Sequence, residues 1–90
     1  MVTESTHAQY IQGLWEINMK QVEITKEPVE LYKLLKFESI VSSGGQAKFV
    51  IGEGHVMLNG EIETRKRKKL VSGDIIEFND EKFQLILVSD

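Results

Sequence analysis

The apolar residues of this chain change their spacing once, near Gly52 and Gly54, and this change limits the folds available to it. Before that point they recur at helical intervals, as Leu31, Leu34 and Leu35 and again as Ala47, Val50 and Ile51. After it they alternate with polar residues, as they do in half-buried strands. The sequence therefore predicts an α+β fold of two short helices packed on a small, mostly antiparallel sheet.

The two predicted helices have recognisable ends. Pro28 is expected to open the first, because a proline in the first turn removes no intrahelical hydrogen bond. The apolar stripe of this helix ends near Phe37 and Glu38. A serine before Gly44 is expected to cap the second helix, and Gly54 to end it in a left-handed conformation. All four phenylalanines are interpreted as core residues, which leaves no aromatic platform for stacking bases.

Period-two alternation predicts the strands. Lys20 to Thr25 forms one, and His55 to Leu58 forms another that returns as Glu61 to Glu63. Asn59-Gly60 between them is the strongest short signal of a two-residue hairpin turn, since both positions require positive φ. Two further strands are predicted at Ile75 to Phe78 and Phe83 to Val88, with turns over 71–74 and 79–82.

A chain of 90 residues has room for a single core, because it buries only about 60 to 65% of its unfolded surface. We expect one domain over residues 19–90, preceded by an N-terminal extension, residues 1–18, that is disordered or docked. The longest aliphatic run, Leu85 to Val88, is far too short to cross a membrane, and no secretion signal is recognisable. We therefore expect a cytoplasmic protein without membrane contact.

The sequence contains few residues that could form a catalytic site. The chain has no cysteine, which excludes disulfides, thiolate zinc sites and thiol nucleophiles. His7 and His55 are far apart, and the acidic residues are scattered over helix faces and turns rather than paired in an apolar setting. The sequence predicts a protein that is not an enzyme and that uses neither a metal nor a cofactor.

The net charge of −3 conceals an uneven distribution. Residues 43–69 carry six cationic and three acidic side chains, whereas residues 70–90 carry one lysine and five acids. One third of the chain is therefore basic, and an anionic partner is compatible with the acidic total.

The strongest local signal is the run from Arg65 to Lys69. Five adjacent like charges repel one another, so an anionic partner explains them better than solubility does. Arginine and lysine together allow bidentate and point-charge contacts with phosphates. Two other interpretations remain open at this stage: an exposed hairpin rim, and a protein-interaction module whose basic loop binds an acidic partner.

A second candidate site lies at the start of the second helix, at Ser43-Gly44-Gly45. A helix N-terminus presents unpaired N–H groups, and glycines allow a phosphate to approach the backbone. Lys48, one turn further on, would reinforce the same anion. The alternative is an interhelix turn with a serine cap and no ligand.

The motifs taken together resemble a known family. Ser43-Gly44-Gly45-Gln46-Ala47-Lys48, the segment 54–60, the run 65–68 and Gly73-Asp74 follow one another as in the S4-like RNA-binding domain, or alpha-L motif. The resemblance is to its compact single-domain version, of the YbcJ and YaaA type, and covers about residues 20–88. In that family two helices pack on a small sheet, and the second helix and adjacent loops hold the RNA backbone.

The resemblance implies a non-catalytic protein that binds the phosphate backbone of structured RNA, either ribosomal RNA or transfer RNA, with ribosomal particles as possible partners. Larger members commonly have an arginine directly after the serine, where this chain has Gly44, so backbone N–H groups would replace part of that arginine's role. The implied RNA-binding residues are Ser43, Gly44, Gly45 and Lys48 at the helix start, Asn59 and Gly60 in the hairpin, and Arg65, Lys66, Arg67, Lys68 and Lys69 in the basic run.

Overall fold

The computed structural model describes residues 19–89. The N-terminal extension predicted over residues 1–18 lies outside the described residues. Nine elements follow one another along the described chain: β1 (Met19–Ile24), β2 (Val29–Glu30), α1 (Leu31–Phe37), α2 (Gly44–Gly52), β3 (Val56–Leu58), β4 (Glu61–Ile62), β5 (Lys69–Leu70), β6 (Ile75–Phe78) and β7 (Glu81–Leu87).

Five strands form the main sheet, in the order β1-β7-β6-β3-β4. The pairs β7–β6, β6–β3 and β3–β4 are antiparallel, and β1 lies parallel to β7 with Val22 opposite Leu85. The short strands β2 and β5 pair separately and antiparallel. The predicted fold, two helices on a mostly antiparallel sheet, is confirmed.

One apolar core joins the helices to the sheet. Its helical part consists of the two predicted stripes, and its strand part of the inward-facing residues of β1, β3, β6 and β7, together with Leu70 of β5. Leu31, Leu35, Ala47 and Ile51 are fully buried. Because each helix buries one face here, its opposite face is free to contact a ligand.

The first helix begins later than predicted. Pro28 does not open it: a cis peptide bond joins Glu27 to Pro28, the chain then forms β2, and α1 starts at Leu31. The expected proline start was wrong because Val29 and Glu30 pair with Leu70 and Lys69, a long-range contact that local helix rules do not include.

The ends of α2 agree with the prediction. The Ser43 hydroxyl accepts a hydrogen bond from the Gln46 N–H at 3.1 Å, which is the expected cap. Gly54 has φ of +81° just after the helix. In the hairpin, Asn59 and Gly60 have φ of 52° and 87°, as a type I′ turn requires.

Two phenylalanines are not core residues, contrary to the prediction. Phe37 and Phe49 expose 65% and 63% of their surface, whereas Phe83 is buried and Phe78 packs at the edge of the core. Phe49 follows Lys48 and precedes Val50, so α2 turns it away from the sheet while Val50 and Ile51 point inward. The inference that the chain offers no aromatic surface to a ligand therefore does not hold.

Candidate nucleic-acid interface

The basic loop, residues 65–69, is fixed to the start of α1 by its backbone. The N–H groups of Leu31 and Tyr32 donate to the carbonyl oxygens of Lys68 and Lys66, at 2.9 and 3.0 Å. These are N–H groups that an isolated helix would leave unpaired. The helix start and the loop thus stabilise each other, and the loop side chains are presented from a defined backbone.

Tyr32 connects the basic loop to α2. The Lys48 ammonium lies over the Tyr32 ring, 4.7 Å from its centroid, and the Arg67 guanidinium carbon lies 5.5 Å from the same centroid. Both cations can interact favourably with the electron-rich face of the ring. A lysine of the second helix and an arginine of the basic loop are therefore held on the same side of the molecule.

Two more lysines extend this arrangement along α2. A Cβ built on Gly52, at the end of the helix, would lie 3.3 Å from the Lys66 side chain, and one built on Gly44, at its start, would lie 3.6 Å from the Lys36 side chain. Cations therefore lie at the start, in the middle and at the end of the helix. We call this row the helix groove; its members are Lys36, Lys48, Lys66 and Arg67.

The first turn of α2 has backbone donors to offer. Within residues 19–89, the N–H groups of Gly44 and Gly45 have no hydrogen-bond acceptor, while those of Gln46 and Ala47 bond to Ser43. A Cβ on Gly45 would have only Ser43 Oγ within 4 Å, at 3.9 Å. The backbone at the helix start is therefore open to close approach, as a phosphate requires.

The remaining basic residues line a second groove, of about 520 Å³, between the loop and the β3–β4 hairpin. We call it the hairpin groove; Arg65, Lys68 and Lys69 contribute its cations, and Asn59 borders it. Asn59 has a structural role there: its amide donates to Asp74 Oδ1 at 3.1 Å, and its oxygen accepts from the Ile75 N–H at 2.9 Å. These bonds tie the hairpin turn to the following loop.

Arg65 is engaged with a carboxylate of its own segment. Its guanidinium donates to both oxygens of Glu63, at 2.9 and 3.0 Å, and its backbone N–H donates to the same side chain. The side-chain hydrogen bonds from Arg65 lower the pKa of Glu63 to about 2, although burial opposes the shift. This pair fixes the entry to the basic loop, and part of the Arg65 charge is neutralised there.

The other cations of the two grooves are not neutralised by a close carboxylate as Arg65 is. Arg67 has Glu30 at 3.9 Å, a long contact that Glu30 shares with Lys33 at 3.7 Å. Within residues 19–89, no carboxylate lies within 4 Å of five lysines: Lys36, Lys48, Lys66, Lys68 and Lys69. Their ammonium groups are available to an external anion.

The structure therefore brings together most of the residues predicted to bind RNA, in two grooves joined by one loop. Gly60 differs: it lies at the exposed tip of the hairpin, where its positive φ is required by the turn itself. Two groove residues were missed. Lys36 was not among the residues predicted to bind RNA. Tyr32 carries no signal in the sequence, because its role depends on Lys48 and Arg67 meeting in three dimensions.

Two other kinds of site find no support in the described part of the chain. Residues 19–89 contain no cluster of three or more metal-ligating side chains. No helix in that range is long and apolar enough to span a membrane.

The chain is similar to one protein family and to several known proteins. Residues 22–86 match the sequence pattern of a family described as the S4 domain. The chain is 44% identical over 69 residues to "Putative RNA-binding protein YbcJ" of Escherichia coli (strain K12), covering 76% of this chain and 99% of that protein. It is 36% identical over 56 residues to "Probable ribosome maturation protein RlbA" of Bacillus subtilis (strain 168), covering 62% of this chain and 79% of that protein.

A solved structure is also similar. The solution structure of Escherichia coli YbcJ, described as revealing an αL motif involved in RNA binding, superposes with a TM-score of 0.60. The match covers 77% of this chain and 89% of the YbcJ chain at 44% identity.

Proposed function

Because the chain belongs to the S4 domain family, we propose that it is a non-catalytic protein that binds the phosphate backbone of structured RNA. The observation that carries the proposal is that the Lys48 ammonium and the Arg67 guanidinium both lie over the Tyr32 ring. It joins the α2 cation and the basic loop into a single surface, as a polyanion requires.

The mechanism is electrostatic positioning. The N–H groups of Gly44 and Gly45 bind one phosphate at the start of α2, assisted by Lys36. Lys48, Arg67 and Lys66 contact further phosphates along the helix groove, and release of the counterions condensed on the RNA favours the complex. Such contacts fix the orientation of the protein on the RNA.

We propose ribosomal RNA, alone or within ribosomal particles, as the class of target, with transfer RNA as the second possibility. The support is that a relative at 36% identity carries the name of a ribosome maturation protein. A folded RNA presents phosphates in fixed arrays, which suits a preformed row of cations better than a flexible strand does. We accordingly propose a cytoplasmic location.

The salt dependence of RNA binding tests the proposal. If four to six cationic side chains contact phosphate, log K plotted against log salt concentration has a slope of about −3 to −5. Binding of a structured ribosomal RNA fragment, followed by fluorescence anisotropy at several salt concentrations, measures it. A flat response would contradict the mechanism.

An acidic partner protein would also give a salt-dependent interaction, so the identity of the anion needs a separate measurement. Protein purified from cells at low salt is expected to carry absorbance near 260 nm that ribonuclease removes. Co-purification of an acidic protein, with no nuclease-sensitive material, would instead favour the protein-interaction module.

A further inference from the structure

Phe49 is a large apolar side chain exposed in the middle of α2. It is 63% exposed, and the same helix buries Ala47, Val50 and Ile51. Single exposed apolar residues are common on protein surfaces and by themselves indicate nothing. The position of Phe49 among phosphate-binding groups is what distinguishes it.

The helix positions one turn before and one turn after Phe49 are glycines, which have no side chain of their own. Gly45 precedes it by four residues and Gly52 follows it by three, so all three lie on one face of α2. A Cβ on Gly45 would meet only Ser43 Oγ within 4 Å. The backbone on the N-terminal side of Phe49 is therefore open to the approach of a ligand.

Backbone and cationic donors lie at these two glycines. The N–H groups of Gly44 and Gly45, which have no acceptor within residues 19–89, are about 6 to 7.5 Å before Phe49 along the helix axis. The Lys66 side chain crosses the helix at Gly52, about one turn after it. The Phe49 ring thus lies between two positions at which the proposed function places phosphates.

We infer that Phe49 stacks with an unpaired nucleobase of the RNA whose backbone occupies the helix groove. The inference rests on the proposed function. A nucleobase is the component of RNA with an apolar face that can cover a phenyl ring, and bases inside a stem already have both faces covered. The preferred ligand is therefore RNA with an unpaired nucleotide beside a stem, rather than a uniform duplex.

A bulged RNA tests this inference. Affinities are measured by fluorescence anisotropy at low ionic strength for a blunt RNA duplex and for the same duplex with one unpaired adenosine in its middle. The wild-type protein binds the bulged RNA more tightly. Phe49→Ala weakens that binding by about 5- to 150-fold and leaves the duplex affinity unchanged, while Phe49→Trp keeps the preference.

Phe37→Ala is the matched control, since Phe37 is 65% exposed and the same side-chain atoms are removed. Its ring contacts Lys36, with 4.9 Å between the ammonium and the ring centroid, so any loss should be equal for the two RNAs. The decisive quantity is the ratio of the two affinities, which Phe49→Ala lowers and Phe37→Ala does not. An unchanged ratio in Phe49→Ala would overturn the stacking inference.

Lys66→Glu separates this inference from the proposed function. If Phe49→Ala has no effect but Lys66→Glu weakens binding of both RNAs, only the stacking inference fails. If Lys66→Glu leaves both affinities unchanged, the proposed phosphate contacts fail, and the stacking inference fails with them.

Discussion

The helix groove and the strands β1, β7 and β6 of the sheet both carry lysines, but in different surroundings. On these strands, Lys20 of β1 forms an ion pair with Glu81 of β7 at 3.0 Å, and Lys82 lies opposite Glu77 in the pairing of β6 with β7. In the helix groove, Lys36, Lys48 and Lys66 follow one another along α2 with no carboxylate within 4 Å among the described residues.

This difference shows that clustering, rather than the number of cations, determines where a polyanion can bind. A lysine interleaved with acids produces little field beyond its own neighbours, whereas a row of like charges produces a potential that extends to a ligand. The net charge of −3 therefore says nothing about the groove. The comparison can be tested by changing each region in the same way.

The largest effect on RNA affinity is expected from reversing the charge of cations in the helix groove. The triple variant Lys48→Glu, Lys66→Glu and Arg67→Glu should bind RNA at least about 100-fold more weakly, with a salt slope smaller by about three. Fluorescence anisotropy over a salt series measures both. These side chains are at least partly exposed, so the variant should remain folded and lose about 1 to 2 kcal/mol of stability, the contribution of the two contacts with Tyr32.

The matched control reverses three lysines outside the groove, Lys20, Lys26 and Lys82, and changes the net charge by the same amount. It should retain most of the RNA affinity and nearly all of the salt slope. Equal losses in the two triple variants would mean that net charge alone controls binding, and the distinction between the regions would be wrong.

A smaller effect is expected at the start of α2. Gly45→Asp places a carboxylate where a phosphate is proposed to bind, and RNA affinity should fall about tenfold. An acidic residue in the first turn favours the helix dipole, so the variant should fold at least as well as the wild type. Gly45→Asn has nearly the same size without the charge and should lose much less affinity. If the two variants bind alike in a filter-binding titration, no phosphate lies at this position.

Tyr32→Leu should have a still smaller effect on binding. It removes the ring that positions Lys48 and Arg67, so RNA affinity should fall about 2- to 5-fold, which corresponds to about 0.5 to 1 kcal/mol of lost positioning. Tyr32→Phe keeps the ring and should bind like the wild type. Equal losses in the two variants, measured by anisotropy, would assign the role to the hydroxyl group instead.

Glu63→Gln should have the smallest effect on RNA affinity. Its clearest effect should be on how the free energy of unfolding depends on pH in acid. Arg65 lowers the pKa of Glu63 from 4.5 to about 2, so the carboxylate stabilises the fold fully above about pH 5 and loses this contribution as the pH falls towards 2. The difference in unfolding free energy between wild type and variant, from urea titrations, should therefore shrink over that range. A constant difference would show that the ion pair does not stabilise the native state.

The sequence was most informative where structure is local. Periodicity located both helices, and residue type located the Ser43 cap and the Asn59-Gly60 turn, because each depends on residues a few positions apart. It failed at Pro28, where a pairing with β5, some 40 residues away in sequence, replaced the expected helix start. The basic run was evident as charge, but its division between two grooves depends on its backbone bonds to α1.

The exposed phenylalanines were missed for a different reason. Phe49 belongs to a strongly apolar segment, and composition alone assigns it to the core. Its orientation follows from the helix phase that Ala47, Val50 and Ile51 impose, and the stripe predicted from the sequence already had this phase, so Phe49 could have been assigned to the exposed face. Burial on one face of α2 thus decides what the opposite face presents.

The parallel pairing of β1 with β7 has a consequence for synthesis of the protein. Ile24 pairs with Leu87, so among residues 19–89 the strand β1 has a single neighbour in the main sheet, and that neighbour is the last strand. While the chain is being translated, β1 must wait until nearly the whole domain has been made before Val22 and Ile24 are covered. Completion of the fold should therefore coincide with release of residue 87 from the ribosomal tunnel, and nascent chains ending before β7 should remain sensitive to protease.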